Sequence, residues 1–142
     1  MSISNFIHLR NYTQYSLSLG ALRISDLIDY CKNHQTPAIG ISDKGNLFGC
    51  MEFCTECSLN GVQPIISCDV NVLEDNWSNG SLLLIASNVI GYKNLSKLIS
   101  FSFLENNQSN KPWISMKELQ KYNDVLLLHH DDHSPLYVFI RR

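Results

Sequence analysis

Pro37-Ala38-Ile39-Gly40-Ile41-Ser42-Asp43-Lys44-Gly45-Asn46 is the stretch whose reading decides the fold. Ala38 to Ile41 is a short, continuously apolar run behind a proline, the pattern of a strand buried on both faces. Ser42 to Asn46 predicts a turn, with Asn46 placed to cap the next helix. That helix carries Cys50, Phe53, Cys54 and Cys57 on one side, and Asn60-Gly61 supplies its stop signal. Upstream, Ile24, Leu27, Ile28 and Cys31 recur at i, i+3, i+4 and i+7, which predicts an amphipathic helix ended by Pro37. Asn5 to Leu9 reads as a first strand.

Downstream the alternation repeats. Gln63 to Val72 predicts a strand, Asn76 to Gly80 a polar turn and Ser81 to Ala86 another strand. Tyr92, Leu95, Leu98 and Ile99 mark a helix, and Asn106 to Pro112 a polar loop. Ser115-Met116-Lys117-Glu118 has the form of a capping box and predicts a short helix. Asp124 to Leu128 reads as the last strand. Alternating strands and helices predict an α/β fold with mostly parallel strands and flanking helices. In such folds the loops after the strands carry the chemistry.

Composition narrows the function. The 142 residues are 44% apolar, ordinary for a globular domain and too rich for a disordered chain. Eleven Lys and Arg against thirteen Asp and Glu give a net charge of −2, so charge alone predicts no tight grip on nucleic acid. No apolar stretch is long enough to span a bilayer and no secretory signal is visible, so the expected compartment is cytoplasmic. Five cysteines, an odd number, suit a reducing compartment.

Two clusters have metal-ligand chemistry, and each has a plainer explanation. Cys50-x-x-x-Cys54-x-x-Cys57 has the spacing of a radical S-adenosylmethionine cluster motif. A cluster loop is irregular, however, and these cysteines follow helical spacing beside Phe53, as core residues do. His129-His130-Asp131-Asp132-His133 holds zinc or manganese ligand types, with His129 and His133 the candidates. Five adjacent residues cannot all face one ion, and a polar loop before Pro135 explains them as well.

Taken in order, longer segments carry a resemblance. Phe6-Ile7-His8-Leu9-Arg10-Asn11-Tyr12-Thr13-Gln14-Tyr15-Ser16-Leu17 with Gly20-Ala21, then Pro37 to Gly49 and Gly61 to Val70, resemble the amino terminus of bacterial DNA polymerase III alpha subunits. Leu82 to Ala86 and Gly91 to Ser100 continue the match in the same order, to about residue 128. The resemblance implies a polymerase and histidinol phosphatase (PHP) domain, a distorted βα barrel present here in part. It implies a partial PHP domain over residues 1–128 and a divergent tail over 129–142. Val138-Phe139-Ile140 is a candidate strand to cover an open sheet edge.

Some PHP domains hold metals and act as 3′–5′ exonucleases or phosphoesterases; others have lost them and serve as scaffold and docking surface. The family's first motif, His-x-His followed by Thr-x-x-Ser, keeps Thr13 and Ser16 but has Arg10 and Tyr12 at the ligand positions. Its second, Asp-His-Gly-Asn, reads Asp43-Lys44-Gly45-Asn46, and Asp69 stands where the family has another carboxylate. Guanidinium and ammonium groups offer no lone pair and repel cations. The resemblance therefore implies a degenerate site at Arg10, Tyr12, Asp43, Lys44 and Asp69, with no metal, no cofactor and no catalytic residue. The implied partners are the rest of the polymerase III holoenzyme, including its proofreading exonuclease subunit, with DNA met only through the intact polymerase and no membrane. The rival readings are an active zinc- or manganese-dependent phosphoesterase and a stand-alone binding module.

Overall fold

The computed structural model describes residues 6–74, 77–106, 112–122 and 125–129; for residues 74, 77–79 and 125–129 it describes the backbone alone. The elements are α1 (Ile24–His34), β1 (Ala38–Lys44), α2 (Cys50–Leu59), β2 (Gln63–Glu74), β3 (Trp77–Ala86), α3 (Val89–Leu104), α4 (Met116–Leu119) and β4 (Val125–His129). They divide between two units, Met1–Ser67 and Cys68–Arg142. Among the described residues no helix is long and apolar enough to cross a membrane.

In the first unit α1 buries the four expected residues, Ile24, Leu27, Ile28 and Cys31. Gln35 closes the helix in the left-handed region at φ 52°, and the N–H of Thr36, the residue before Pro37, donates to Cys31 O at 3.0 Å. The core joins these residues to Ile39 and Ile41 of β1 and to Cys50, Phe53 and Cys57 of α2. α2 ends as expected, with Val62 N donating to Cys57 O beyond a positive-φ Gly61. The Gln63 N–H donates to Pro37 O and Ser67 Oγ to Ile41 O. The same offset in both pairs sets the start of β2 parallel to β1.

Three local expectations are corrected here. β1 runs to Lys44, so Asp43 lies in the strand and not in a turn; Ser42 N–H donates to Asn11 O and Lys44 N–H to Ser16 Oγ, which extends the strand. Asn46 does not cap α2, whose N-cap is Gly49; its Oδ1 instead accepts the Phe48 N–H at 3.2 Å in a turn before the helix. Residues 6–9 form no strand. His8 O accepts the Gly40 N–H, but the next rungs are interrupted because the Asn11 side chain donates to both Gly40 O (2.8 Å) and His8 O (3.3 Å). A side-chain amide thus replaces the strand ladder.

In the second unit the remainder of β2 neighbours β3, and β3 neighbours β4. The expectation of mostly parallel strands fails here. Only two residues separate Glu74 from Trp77, too few for a parallel crossover. β3 and β4 are antiparallel, with Leu82 opposite His129 and Ala86 opposite Val125. β3 also starts earlier than expected, taking in residues 77–80 despite their turn-forming composition. Leu82, Leu83, Leu84 and Ile85 are buried, as are Leu95, Leu98 and Ile99 of α3. Tyr92, expected on the buried face of that helix, is exposed. Ile114, fully buried, bridges to Val72: Ile114 N–H donates to Asn71 O and Leu73 N–H to Ile114 O. The capping box holds in part, since Ser115 Oγ accepts the Glu118 N–H at 3.2 Å. Val138-Phe139-Ile140 and most of the 129–142 tail lie outside the described residues.

Candidate functional site

The Asp43 side chain is 2% exposed at the end of β1. Isolated burial of a carboxylate is costly, so its lone pairs must find donors. The turn Thr13-Gln14-Tyr15-Ser16, closed by Ser16 N–H to Thr13 O at 2.9 Å, supplies them. Thr13 N–H donates to Oδ1 at 2.7 Å, Thr13 Oγ1 to Oδ2 at 2.7 Å and Ser16 Oγ to Oδ1 at 2.6 Å. Both oxygens are engaged. Thr13 and Ser16 are themselves buried, and Ser16 Oγ also accepts the Lys44 N–H at 3.0 Å.

Arg10 and Tyr12 are paired. Arg10 Nε donates to Tyr12 Oη at 2.9 Å, and the guanidinium carbon lies 5.6 Å from the ring centroid, within cation–π range. Asn46 Nδ2 donates to Tyr15 O and Lys44 O, fastening the loop after β1 to the same turn. The Tyr15 hydroxyl donates to Glu52 Oε2 at 2.8 Å, and this carboxylate pushes the phenol above its usual range by accepting its proton and by its charge.

The first unit thus brings Asp43 together with Thr13 and Ser16, and Arg10 together with Tyr12. Asp69 is fully buried in β2 and belongs to the second unit. The backbone of His129 is the terminal rung of β4, and His133 lies outside the described residues. Among the described residues no group of three or more His, Cys, Asp or Glu side chains is arranged to hold a metal ion. Arg10 and Lys44 have no lone pair to give to a cation. The cysteine motif is a continuous helix: Cys50 and Cys57 are buried, Cys54 is half-buried, and all are free thiols. Burial pushes the Cys50 and Cys57 thiols up to about 12.

Sequence reasoning placed Thr13 and Ser16 but missed that they hold Asp43, and it missed Asn11 and the Tyr15–Glu52 pair altogether. The signal for the first was the spacing of Thr13 and Ser16, which fits one tight turn presenting two hydroxyls and a free N–H.

The fold of this mixed α/β chain is similar to those of two solved structures. It superposes on a proposed metal-dependent phosphoesterase from Bifidobacterium adolescentis with a TM-score of 0.54 at 11% identity, covering 71% of this chain and 34% of that one. An amidohydrolase from Chromobacterium violaceum gives 0.54 at 16% identity, covering 68% and 32%. The chain belongs to the PHP domain family, whose model matches residues 8–138. It is 38% identical over 122 residues to DNA polymerase III subunit alpha of Rickettsia felis, covering 86% of this chain and 10% of that protein. The same subunit of Borreliella burgdorferi is 38% identical over 134 residues, covering 87% and 12%, and that of Aquifex aeolicus 35% over 138 residues, covering 87% and 12%. The chain spans about a tenth of the length of these relatives.

Proposed function

We propose that this chain is the PHP region of a replicative DNA polymerase III alpha subunit, forming part of a distorted βα barrel and working without a resident metal. Its role is architectural: it supports the polymerase and docks the proofreading exonuclease subunit in the cytoplasm. Residues 1–128 make up the PHP region and 129–142 a divergent tail. DNA is met only through the intact polymerase.

One observation carries this reading. Both oxygens of Asp43 already accept hydrogen bonds, three in all, from Thr13 and Ser16. A carboxylate used in this way is a structural post, and the neighbouring positions 10, 12 and 44 offer a guanidinium, a phenol and an ammonium. Metal-assisted phosphoester hydrolysis uses the ion to polarise the phosphoryl oxygen or to generate hydroxide, and a guanidinium, a phenol and an ammonium are poor groups to hold one.

The test is metal content after dialysis against manganese or zinc, with turnover of p-nitrophenyl phosphate and a 3′-labelled oligonucleotide. The expected result is no stoichiometric metal and no turnover. Metal-dependent turnover that disappears in Asp43→Asn overturns the metal-free reading. Titration of the purified exonuclease subunit into the chain tests the docking role.

A further inference from the structure

The two halves of the first unit are laid down on one repeat. Ser67 Oγ donates to Ile41 O across an offset of 26 residues, and the Gln63 N–H reaches Pro37 O across the same offset. The ends of α1 and α2 obey it too. Gln35 and Gly61 both adopt a positive φ, 52° and 67°, and the N–H that follows, of Thr36 or Val62, donates back at 3.0 Å to Cys31 O or Cys57 O. Cys31 and Cys57 therefore hold the same place in two matching closures. Both are free thiols, both are buried, and both belong to the core that α1 and α2 share. Packed helices with axes about 8–10 Å apart and Cα atoms at a radius of about 2.3 Å bring facing Cα atoms within the roughly 4.4–6.8 Å that a disulfide spans.

A third thiol connects this pair to solvent. Cys54 lies one turn before Cys57 on the same side of α2 and is half-buried. On a regular helix their Cβ atoms are about 5–6 Å apart, beyond the roughly 3.5–4.5 Å of a relaxed disulfide. A Cys54–Cys57 bond would strain the last turn of α2 and so be readily exchanged. Cys50, at the other end of α2, has Ile24 as its counterpart on the repeat and so faces no thiol of α1.

We propose that Cys54, Cys57 and Cys31 form a thiol relay, driven by a hydroperoxide, that ends in a disulfide between α1 and α2. Hydrogen peroxide oxidises the Cys54 thiol to a sulfenic acid and is itself reduced, releasing one water. The Cys57 sulfur then attacks the Cys54 sulfur. An S–S bond forms, the S–O bond breaks, and the hydroxyl leaves as a second water with the Cys57 proton. Last, the Cys31 sulfur attacks the Cys57 sulfur, and Cys54 departs and takes up the Cys31 proton. Two thiols have been oxidised, and one peroxide has become two waters. Burial holds all three thiols above their ordinary value, so both attacks wait on fraying of the last turn of α2. The product staples together the two helices that pack on β1.

The test oxidises the reduced full chain with hydrogen peroxide, blocks the remaining thiols with N-ethylmaleimide and maps the peptides without reductant. Trypsin with a glutamate-specific protease parts Cys31, Cys50, Cys54 and Cys57 from one another, and fragmentation tells Cys57 from Cys68. The expected end product is a Cys31–Cys57 link within one chain, undone by dithiothreitol, with Cys50, Cys54 and Cys68 recovered blocked. The oxidised chain should also melt at a higher temperature than the reduced one. Cys54→Ser is expected to slow the link about tenfold or more, and Cys50→Ser to leave its rate within about twofold. Circular dichroism in reductant checks that both variants fold, and the wild-type map decides alone if they do not. A Cys50–Cys54 or Cys54–Cys57 bond persisting as the end product overturns the proposal, as does a link between two chains or Cys31 recovered blocked. A Cys54→Ser chain that links as fast as the wild type overturns the relay.

Discussion

Ser16 Oγ donates to Asp43 Oδ1 at 2.6 Å while accepting the Lys44 N–H at 3.0 Å. One hydroxyl thereby joins a buried carboxylate to the backbone of the next residue and fixes the turn after the amino-terminal segment against the end of β1. Hydrogen bonds to a charged acceptor are worth more than neutral ones, and a buried partner left behind costs its full desolvation.

Asp43→Asn and Ser16→Ala should therefore both destabilise the fold, by about 2–3 and about 1–2 kcal/mol. Asparagine retains one acceptor but turns an amide donor toward the hydroxyl of Thr13 or Ser16. Urea unfolding followed by circular dichroism measures both, and an Asp43→Asn effect smaller than that of Ser16→Ala would contradict the geometry.

The thiols of α2 set a dependence on pH. In the folded chain Cys50 and Cys57 hold their protons up to about 12, raised by burial from an ordinary value of 9. Above 9 the unfolded chain loses these protons first and gains charge that the folded chain does not. Their contribution to stability is thus fully present below 9 and is lost as pH rises toward 12. Unfolding midpoints taken across this range should fall, less steeply in Cys50→Ala/Cys57→Ala after allowance for its lower baseline. At pH 8 a thiol reagent should modify the half-buried Cys54 well before Cys50 or Cys57.

Gly20→Ala and Gly61→Ala separate two kinds of glycine. A Cβ at Gly20 would lie 2.2 Å from Thr13 O and 2.6 Å from Tyr12 O, backbone atoms that cannot swing aside. At Gly61 a Cβ meets nothing within 4 Å, but φ is +67°. Gly61→Ala should cost about 1–2 kcal/mol through conformation alone, and Gly20→Ala about 3 kcal/mol or more. Equal denaturation midpoints for the two variants would refute this.

Asn88→Ala removes the oxygen that accepts the Gly91 N–H at 2.9 Å and caps α3. The expected loss is about 1 kcal/mol, read from thermal melts, and Asn88→Asp or Asn88→Ser should restore most of it.

Local pattern made much of this readable in advance. The helical spacing of Ile24, Leu27, Ile28 and Cys31, the apolar run Ala38 to Ile41, the Asn60-Gly61 stop and the Ser115 cap are each decided within a few residues. Strand direction is decided elsewhere. An apolar run such as Leu82 to Ile85 looks alike in parallel and antiparallel sheets, and the short Glu74–Trp77 connection was masked by residues that usually favour turns. The site divided in the same way. Arg10, Tyr12 and Lys44 could be placed by residue type, whereas the Thr13–Asp43 contact, thirty residues apart in sequence, needed the backbone in place. Asn11 gave no signal, because a side chain that substitutes for a strand partner looks like any loop asparagine.

That substitution has a chemical cost in time. Asn11 Nδ2 is the donor to the carbonyls of both His8 and Gly40. Spontaneous deamidation would exchange this nitrogen for an oxygen and set acceptor against acceptor at two points. The amino-terminal strap would keep its bonds through Gly40, Ser42 and Asp43 but lose its side-chain clasp, so chemical ageing of one amide would loosen the edge of the domain.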